Sequence, residues 1–217
     1  MLKFNNNRKV WVTSDTHYGH SNICRGVTNW RLPNGSIPES QTRDFPTVEK
    51  MNASIVNNIN NLVGQDDILL HLGDWSFGGF ENIEEFRNRI ICQEIHLVLG
   101  NHDHHIDRNR GNCQSLFSSV NWFTQIEYKG HTLECCHYPI SSWNNLRKGR
   151  IHLHGHSHLP NDQKITNGRR IDVGMDGNVG FEPYDLEKLI NFMLKRPIGS
   201  ELGPLDHHLD DTKGIVG

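Results

Sequence analysis

Five short polar clusters punctuate the chain: Asp15-Thr16-His17, Gly73-Asp74, Gly100-Asn101-His102-Asp103, His137, and Gly155-His156-Ser157-His158. Each stands at the end of an apolar run. Aspartate, asparagine and neutral histidine are hard-to-borderline ligands for divalent cations, and mixed spheres of this kind accept Mn²⁺, Fe, Ni²⁺ or Zn²⁺. Two such cations about 3.5–4 Å apart clamp both the attacking and the leaving oxygen of a phosphate ester, provided an anionic ligand is shared between them. An aspartate after a tight glycine, as in Gly73-Asp74, suits that shared place. Taken singly, each cluster reads as an ordinary strand-end turn. Five in one chain of 217 residues outline a two-metal site for cutting a phosphate ester.

Ligands so far apart in sequence meet only where a sheet gathers the ends of its strands. Open α/β sheets bind their ligands at the carboxyl ends of the strands. The runs RKVWVTS (8–14), DILLHLG (67–73) and EIHLVLG (94–100) read as strands that deliver the first three clusters. Between them lie two helical patterns. Val48, Met51, Ile55, Ile59 and Leu62 recur at helical steps, with Pro46 placed for a first turn and Gly64 for the close; a second helix is expected over Asn82–Ile91. Strand–helix–strand units of this kind predict an α/β sheet with crossover helices.

The second half changes character. FTQIEYKG (123–130) and HTLECCHYP (131–139) form a hairpin across Lys129-Gly130, and RIHLHGHSH (150–158) and RRIDVGM (169–175) read as further strands. A last helix is expected over Tyr184–Leu194, and the polar residues 197–217 are expected to form a loosely held tail after one domain of residues 1–196.

A net charge of −3 exerts no general pull on nucleic acid or an anionic membrane, so an anionic substrate has to be held locally. No run approaches the roughly 18 apolar residues of a membrane span. The opening MLKFNNNRKV lacks a signal-peptide apolar stretch, and a cytoplasmic protein is the expectation. The five cysteines form no C-x-x-C pair and read as free thiols.

The five clusters together resemble the calcineurin-like metallophosphoesterase superfamily, whose pattern is D-x-H, G-D, G-N-H-[DE], a lone His, and G-H-x-H. All five blocks occur here in order, and the opening SDTHYGH is most similar to small phage and bacterial phosphoesterases. The resemblance implies an α/β four-layer αββα sandwich: two facing mixed sheets flanked by helices, with the site at one edge. It assigns a first metal to Asp15, His17 and His158, a second to Asn101, His137 and His156, and a bridge to Asp74. It gives His102 the scissile phosphate and leaving oxygen, with Asp103 orienting His102. The two divalent ions are expected to be Mn²⁺, with Fe, Ni²⁺, Zn²⁺ or Co²⁺ as alternatives. Water held between them gives up a proton near neutral pH, and the resulting hydroxide attacks phosphorus in line. WSFGG after Asp74, and His104 and His105 after Asp103, depart from the commonest pattern; they bear on the shape of the pocket.

Around this set, His20 and Arg25 are the foremost candidates for holding substrate, with Asn101; Arg31 and Arg43 lie on the same loop, where an arginine fork suits a nonreacting phosphate. Arg108, Arg110, Asn144 and Asn145 are weaker candidates. His71 and His96 read as satisfied core histidines, and His152 and His154 as structural. The expected substrate is a small phosphorylated molecule, possibly a nucleotide. Extended nucleic acid is disfavoured, because the chain carries no basic stripe or aromatic ladder. A nuclease and a metal-stabilised binding scaffold without catalysis remain the alternatives.

Overall fold

The apolar runs become two five-stranded sheets. The computed structural model describes residues 1–24, 43–166 and 168–199. Its strands are β1 (Leu2–Lys3), β2 (Val10–Thr13), β3 (Ile68–His71), β4 (Glu94–Val98), β5 (Ser119–Asn121), β6 (Phe123–Tyr128), β7 (His131–Cys136), β8 (Ile151–His154), β9 (Arg170–Asp172) and β10 (Tyr184–Asp185). The helices are α1 (Val48–Leu62), α2 (Phe80–Arg89), α3 (His104–Asp107) and α4 (Leu186–Leu194). One sheet runs β10-β2-β3-β4-β5 and the other β1-β6-β7-β8-β9. Each is mixed, with a single antiparallel pair: β10 with β2, and β6 with β7. This is the expected α/β sandwich of facing sheets with flanking helices.

Register explains why the first-half strands are largely apolar. Trp11, Leu69 and Ile95 stand side by side and pack against α1 and α2. Their neighbours Val10, Val12, Ile68 and Leu70 face Ile126, Leu133, Ile151, Leu153 and Ile171 of the second sheet. A strand buried on both faces has no polar side to show. Leu186, Leu189, Ile190 and Met193 bring α4 into this inter-sheet core. Residues 139–149 lie over the far face of the second sheet, with Trp143 5.3 Å from the His152 ring. Among the described residues no helix is long and apolar enough to cross a membrane.

Some boundaries differ from expectation for local reasons. Thr47 caps α1 by accepting from Lys50 N at 3.3 Å, so Pro46 precedes the cap instead of entering the first turn. Asp185 caps α4 by accepting from Lys188 N at 3.1 Å, and Tyr184 and Asp185, read as helix, pair with β2 as β10. In the β6–β7 hairpin, Lys129 and Gly130 take φ of 49° and 78°, the left-handed pair that a two-residue turn requires. All five cysteines are free. Residues 25–42 and 200–217, which include Arg25, Arg31 and most of the expected tail, lie outside the described residues.

His71 and His96 are buried and partnered as expected, by Thr16 Oγ1 at 3.0 Å and Ser119 Oγ at 2.8 Å. His152 lies between the carbonyl oxygens of Glu134 and Tyr138, 3.1 and 3.2 Å away. Burial drives it down to about 4, against the pull of those carbonyls, so it folds neutral. Its folded pKa lies below the unfolded value, so the unfolded chain binds more protons as pH falls and stability is lost below about pH 6.5. His152→Gln is therefore expected to gain roughly 2 kcal/mol relative to the parent between pH 7 and pH 5, read from urea unfolding at the two pH values. A stability difference that does not change with pH contradicts the neutral assignment.

Candidate metal centre

Parallel alignment carries the polar clusters to one edge. β2 leads into Asp15 and His17, β3 into Asp74, β4 into Asn101 and His102, β7 into His137, and β8 into His156 and His158. Donor atoms of Asp15, His17 and His158 lie within 4.8 Å of one another, and so do those of Asp15, Asp74 and His137. Asp74 Oδ2 occupies the middle, 3.4 Å from His17 Nε2 and 3.5 Å from His137 Nε2. On one side, His158 Nε2 is 3.1 Å from His17 Nε2 and 3.7 Å from Asp15 Oδ1. On the other, Asn101 Oδ1 is 3.1 Å from His137 Nε2 and 2.8 Å from His156 Nδ1. Asp15 belongs to both groups of donors, and Asp74 Oδ2 lies between His17 and His137.

The backbone is forced to make this arrangement. Asp15, His17, Asp74, His156 and His158 all have φ between 47° and 70°, and they are five of the ten non-glycine residues with positive φ among those described. Such a concentration of left-handed backbone is typical of sites held by the surrounding fold. Gly73 takes φ of 98°, and a Cβ there would lie 2.6 Å from Gly100 N and His137 Nδ1. At Gly155 a Cβ would fall on Ser14 Oγ and Asp15 Oδ2.

The donor set fits divalent cations on electrostatic grounds. Burial pushes the Asp15 carboxyl up. Burial would also raise Asp74, but the hydrogen bond from His137 and the charges of His17 and His137 hold it well below the carboxylate range. Burial opposes protonation of His137 and His158, yet Asp74 and Asp15 raise the first, and Asp176 and Asp15 the second, each to about 9. The carboxylates thus draw protons onto imidazole nitrogens that a metal needs free, and metal uptake would release them. His17, by contrast, is driven well below the usual histidine value by burial and by His158. His17 Nε2 and His158 Nε2, 3.1 Å apart, share a hydrogen bond whose proton a metal would displace.

His102 sits at the mouth, its ring 5.3 Å from that of His17, and its backbone N–H donates to Asp74 Oδ1 at 2.9 Å. Asp103 does not orient it. Both Asp103 oxygens are taken by backbone N–H groups, Oδ2 by Asp74 and Gly100 at 2.8 Å and Oδ1 by Trp75 at 3.0 Å. The side chain points inward and staples the Asp74 turn to the Asn101–His102 turn. Asp103→Ala orphans three buried donors and is expected to cost roughly 3–6 kcal/mol in chemical unfolding; a loss below about 1 kcal/mol contradicts the staple.

His20 lies flat on Phe77, ring centroids 3.8 Å apart, and lines the same cleft as His17, Asn22, Ile23, His102, His156, Ser157 and His158, a space of about 420 Å³. Burial, with His102 and Arg43 nearby, lowers His20 to about 4 and keeps it neutral. The Tyr138 ring lies 4.8 Å from that of His156. Arg25 and Arg31 fall outside the described residues. Arg43 is no phosphate fork: it is buried, with its guanidinium on Asp176 and on the carbonyls of Asp15 and Thr16. Arg108 and Arg110 are exposed beyond α3, and Arg110 Nη1 lies 3.4 Å from His105 Nδ1. Asn145 borders a separate hollow at the start of β8, with Lys148 and Arg169, and Asn144 is exposed beside it.

Two carboxylates near the metal edge were missed from sequence. Asp172 Oδ1 accepts from Gly174 N at 2.8 Å, and burial and Asp15 raise its carboxyl to about 7. Asp176 meets His158 Nδ1 at 2.8 Å. Neither sits in a motif, and only the folded β8–β9 region brings them to the site.

The sequence model of the calcineurin-like phosphoesterase family matches residues 8–190. The protein MJ1445 of Methanocaldococcus jannaschii is 27% identical over 192 residues, covering 87% of this chain and 93% of its own length. The Gene 66 protein of Mycobacterium phage L5 is 26% identical over 194 residues, covering 77% of this chain and 86% of its own. Among solved structures, AQ665 from Aquifex aeolicus, a protein of unknown function, superposes with a TM-score of 0.61 at 21% identity, covering 86% of this chain and all of its own, a likeness of fold.

Proposed function

Because the chain belongs to the calcineurin-like phosphoesterase family, we propose that it hydrolyses a phosphodiester or phosphomonoester of a nucleotide or other small phosphorylated molecule, using two divalent metal ions. The observation that carries this reading is Asp74 Oδ2, placed between His17 and His137 with a set of donors on either side. Two cations so held, Mn²⁺ foremost, supply Lewis-acid stabilisation of phosphate oxygens and make water acidic enough to lose a proton near neutral pH. Asp15, His17, His158 and Asp74 form one half-site; Asp74, Asn101, His137 and His156 form the other.

The chain's own groups do the rest. His102, at the mouth and outside both half-sites, is placed to give a proton from its imidazole nitrogen to the departing oxygen. Asn101 fixes the approach of substrate beside the second half-site. His20, stacked flat on Phe77, lines a space of about 420 Å³, within the range of small-molecule sites. A stacked ring in the wall favours a nucleobase or another ring on the substrate. The cleft is small for an extended strand, which weighs against a nuclease. A scaffold without catalysis has no use for His102, and this chain keeps it.

Metal-stripped protein reloaded with Mn²⁺ is expected to release nitrophenolate from bis-p-nitrophenyl phosphate or p-nitrophenyl phosphate, and to lose that activity to chelator. A panel of cyclic and linear nucleotides then identifies the substrate. No release with any of Mn²⁺, Ni²⁺, Co²⁺, Zn²⁺ or Fe²⁺ favours the scaffold.

A further inference from the structure

Asp176 lies outside all five motifs, in a short 3-10 turn at Met175–Gly177, yet its Oδ2 is 2.8 Å from His158 Nδ1. The same oxygen receives Arg43 Nη2 at 2.8 Å, and Oδ1 receives Arg43 Nε at 2.9 Å. Both side chains are 1% exposed. Arg43 donates as well to the carbonyl oxygens of Asp15 and Thr16. One guanidinium therefore grips the turn that carries Asp15 and His17 and also the carboxylate that holds His158. The 3-10 turn is tied to the same place by Met175 N donating to Ser14 O at 3.1 Å.

A carboxylate forked to a guanidinium can only accept, so His158 keeps a hydrogen on Nδ1, and Nε2 is the nitrogen left to face the cluster and bind a metal. The second half-site is built differently. His137 is fixed by the Leu72 carbonyl, 2.7 Å from its Nδ1, but among the described residues the ring nitrogens of exposed His156 have one hydrogen-bond partner, the Asn101 amide oxygen, itself a candidate ligand. We propose that Arg43 and Asp176 are positioning residues that make the Asp15–His17–His158 half-site the tighter of the two, filled first and retained, while the Asn101–His156 half-site exchanges its ion. The proposal rests on the dinuclear reading of the site.

Asp176→Asn is the sharpest probe. The amide nitrogen that replaces one carboxylate oxygen can face His158, which moves the ring hydrogen to Nε2 and points it at the metal. Metal-free protein is titrated with Mn²⁺ and followed by electron paramagnetic resonance, which separates free ion, a single bound ion and a spin-coupled pair. The parent is expected to fill in two steps at least about tenfold apart in affinity; in Asp176→Asn the tight step weakens by about 10–100-fold. Arg43→Lys keeps the charge and is expected to weaken the same step about threefold to tenfold, which preserves the test should Asp176→Asn not fold. Asp185→Ala, which removes the α4 cap, is the stability control and is expected to leave both steps unchanged. Equal steps in the parent, an unaltered tight step in the folded variants, or a matching loss in Asp185→Ala each overturns the positioning role. A parent that binds no Mn²⁺ overturns the dinuclear reading instead.

Discussion

Asp74→Asn is expected to lower metal content from two ions per chain to at most one and to slow phosphate-ester hydrolysis by at least about a thousandfold. The substitution preserves size, and its amide oxygen can still accept from His102 N as Asp74 Oδ1 does at 2.9 Å. What disappears is the charge at Oδ2, the atom 3.4 and 3.5 Å from the nitrogens of His17 and His137. Two divalent cations a few ångströms apart repel strongly, and an uncharged amide between them does not offset that repulsion. Metal analysis of purified variant, alongside a thermal unfolding scan, separates this effect from misfolding. Two ions per chain in the folded variant contradicts the bridge.

His102→Ala is expected to do the opposite to metal content and much the same to rate. Neither half-site includes the ring, so two ions remain bound. The loss is of proton delivery, which general acids supply at about 10²–10⁴-fold in rate. It is expected to fall on kcat with KM little changed, and to depend on the leaving group. A nitrophenolate departs without a proton, so the variant is expected to lose far less on nitrophenyl esters than on an alkyl or nucleoside ester. Equal losses on both classes, or full activity, contradicts the role of His102.

Much of this architecture was legible in the sequence because its main strands are buried on both faces. Solid apolar runs such as Ile68–His71 need no partner information to be recognised, and each ends in the polar residues that mark the site. The short strands were not legible. β1 and β10 are two residues each, and their existence depends on Leu2 meeting Ile126 and Tyr184 meeting Val12 across the fold. The candidate ligands announced themselves by chemistry, while their division into two half-sites came from the resemblance to a family. Side-chain direction was the blind spot. Asp103, beside His102 in sequence, turns away from it to backbone N–H groups. Arg43 and Asp176, 133 residues apart, meet only through tertiary packing, and no spacing rule connects them.

The proposed chemistry depends on a pair of cations bridged by one aspartate oxygen. Diffraction from crystals grown with excess Mn²⁺, recorded at the manganese absorption edge, tests it directly. Two anomalous peaks about 3.5–4 Å apart, with Asp74 between them, are expected. A single peak, or two peaks with Asp74 turned to solvent, contradicts it.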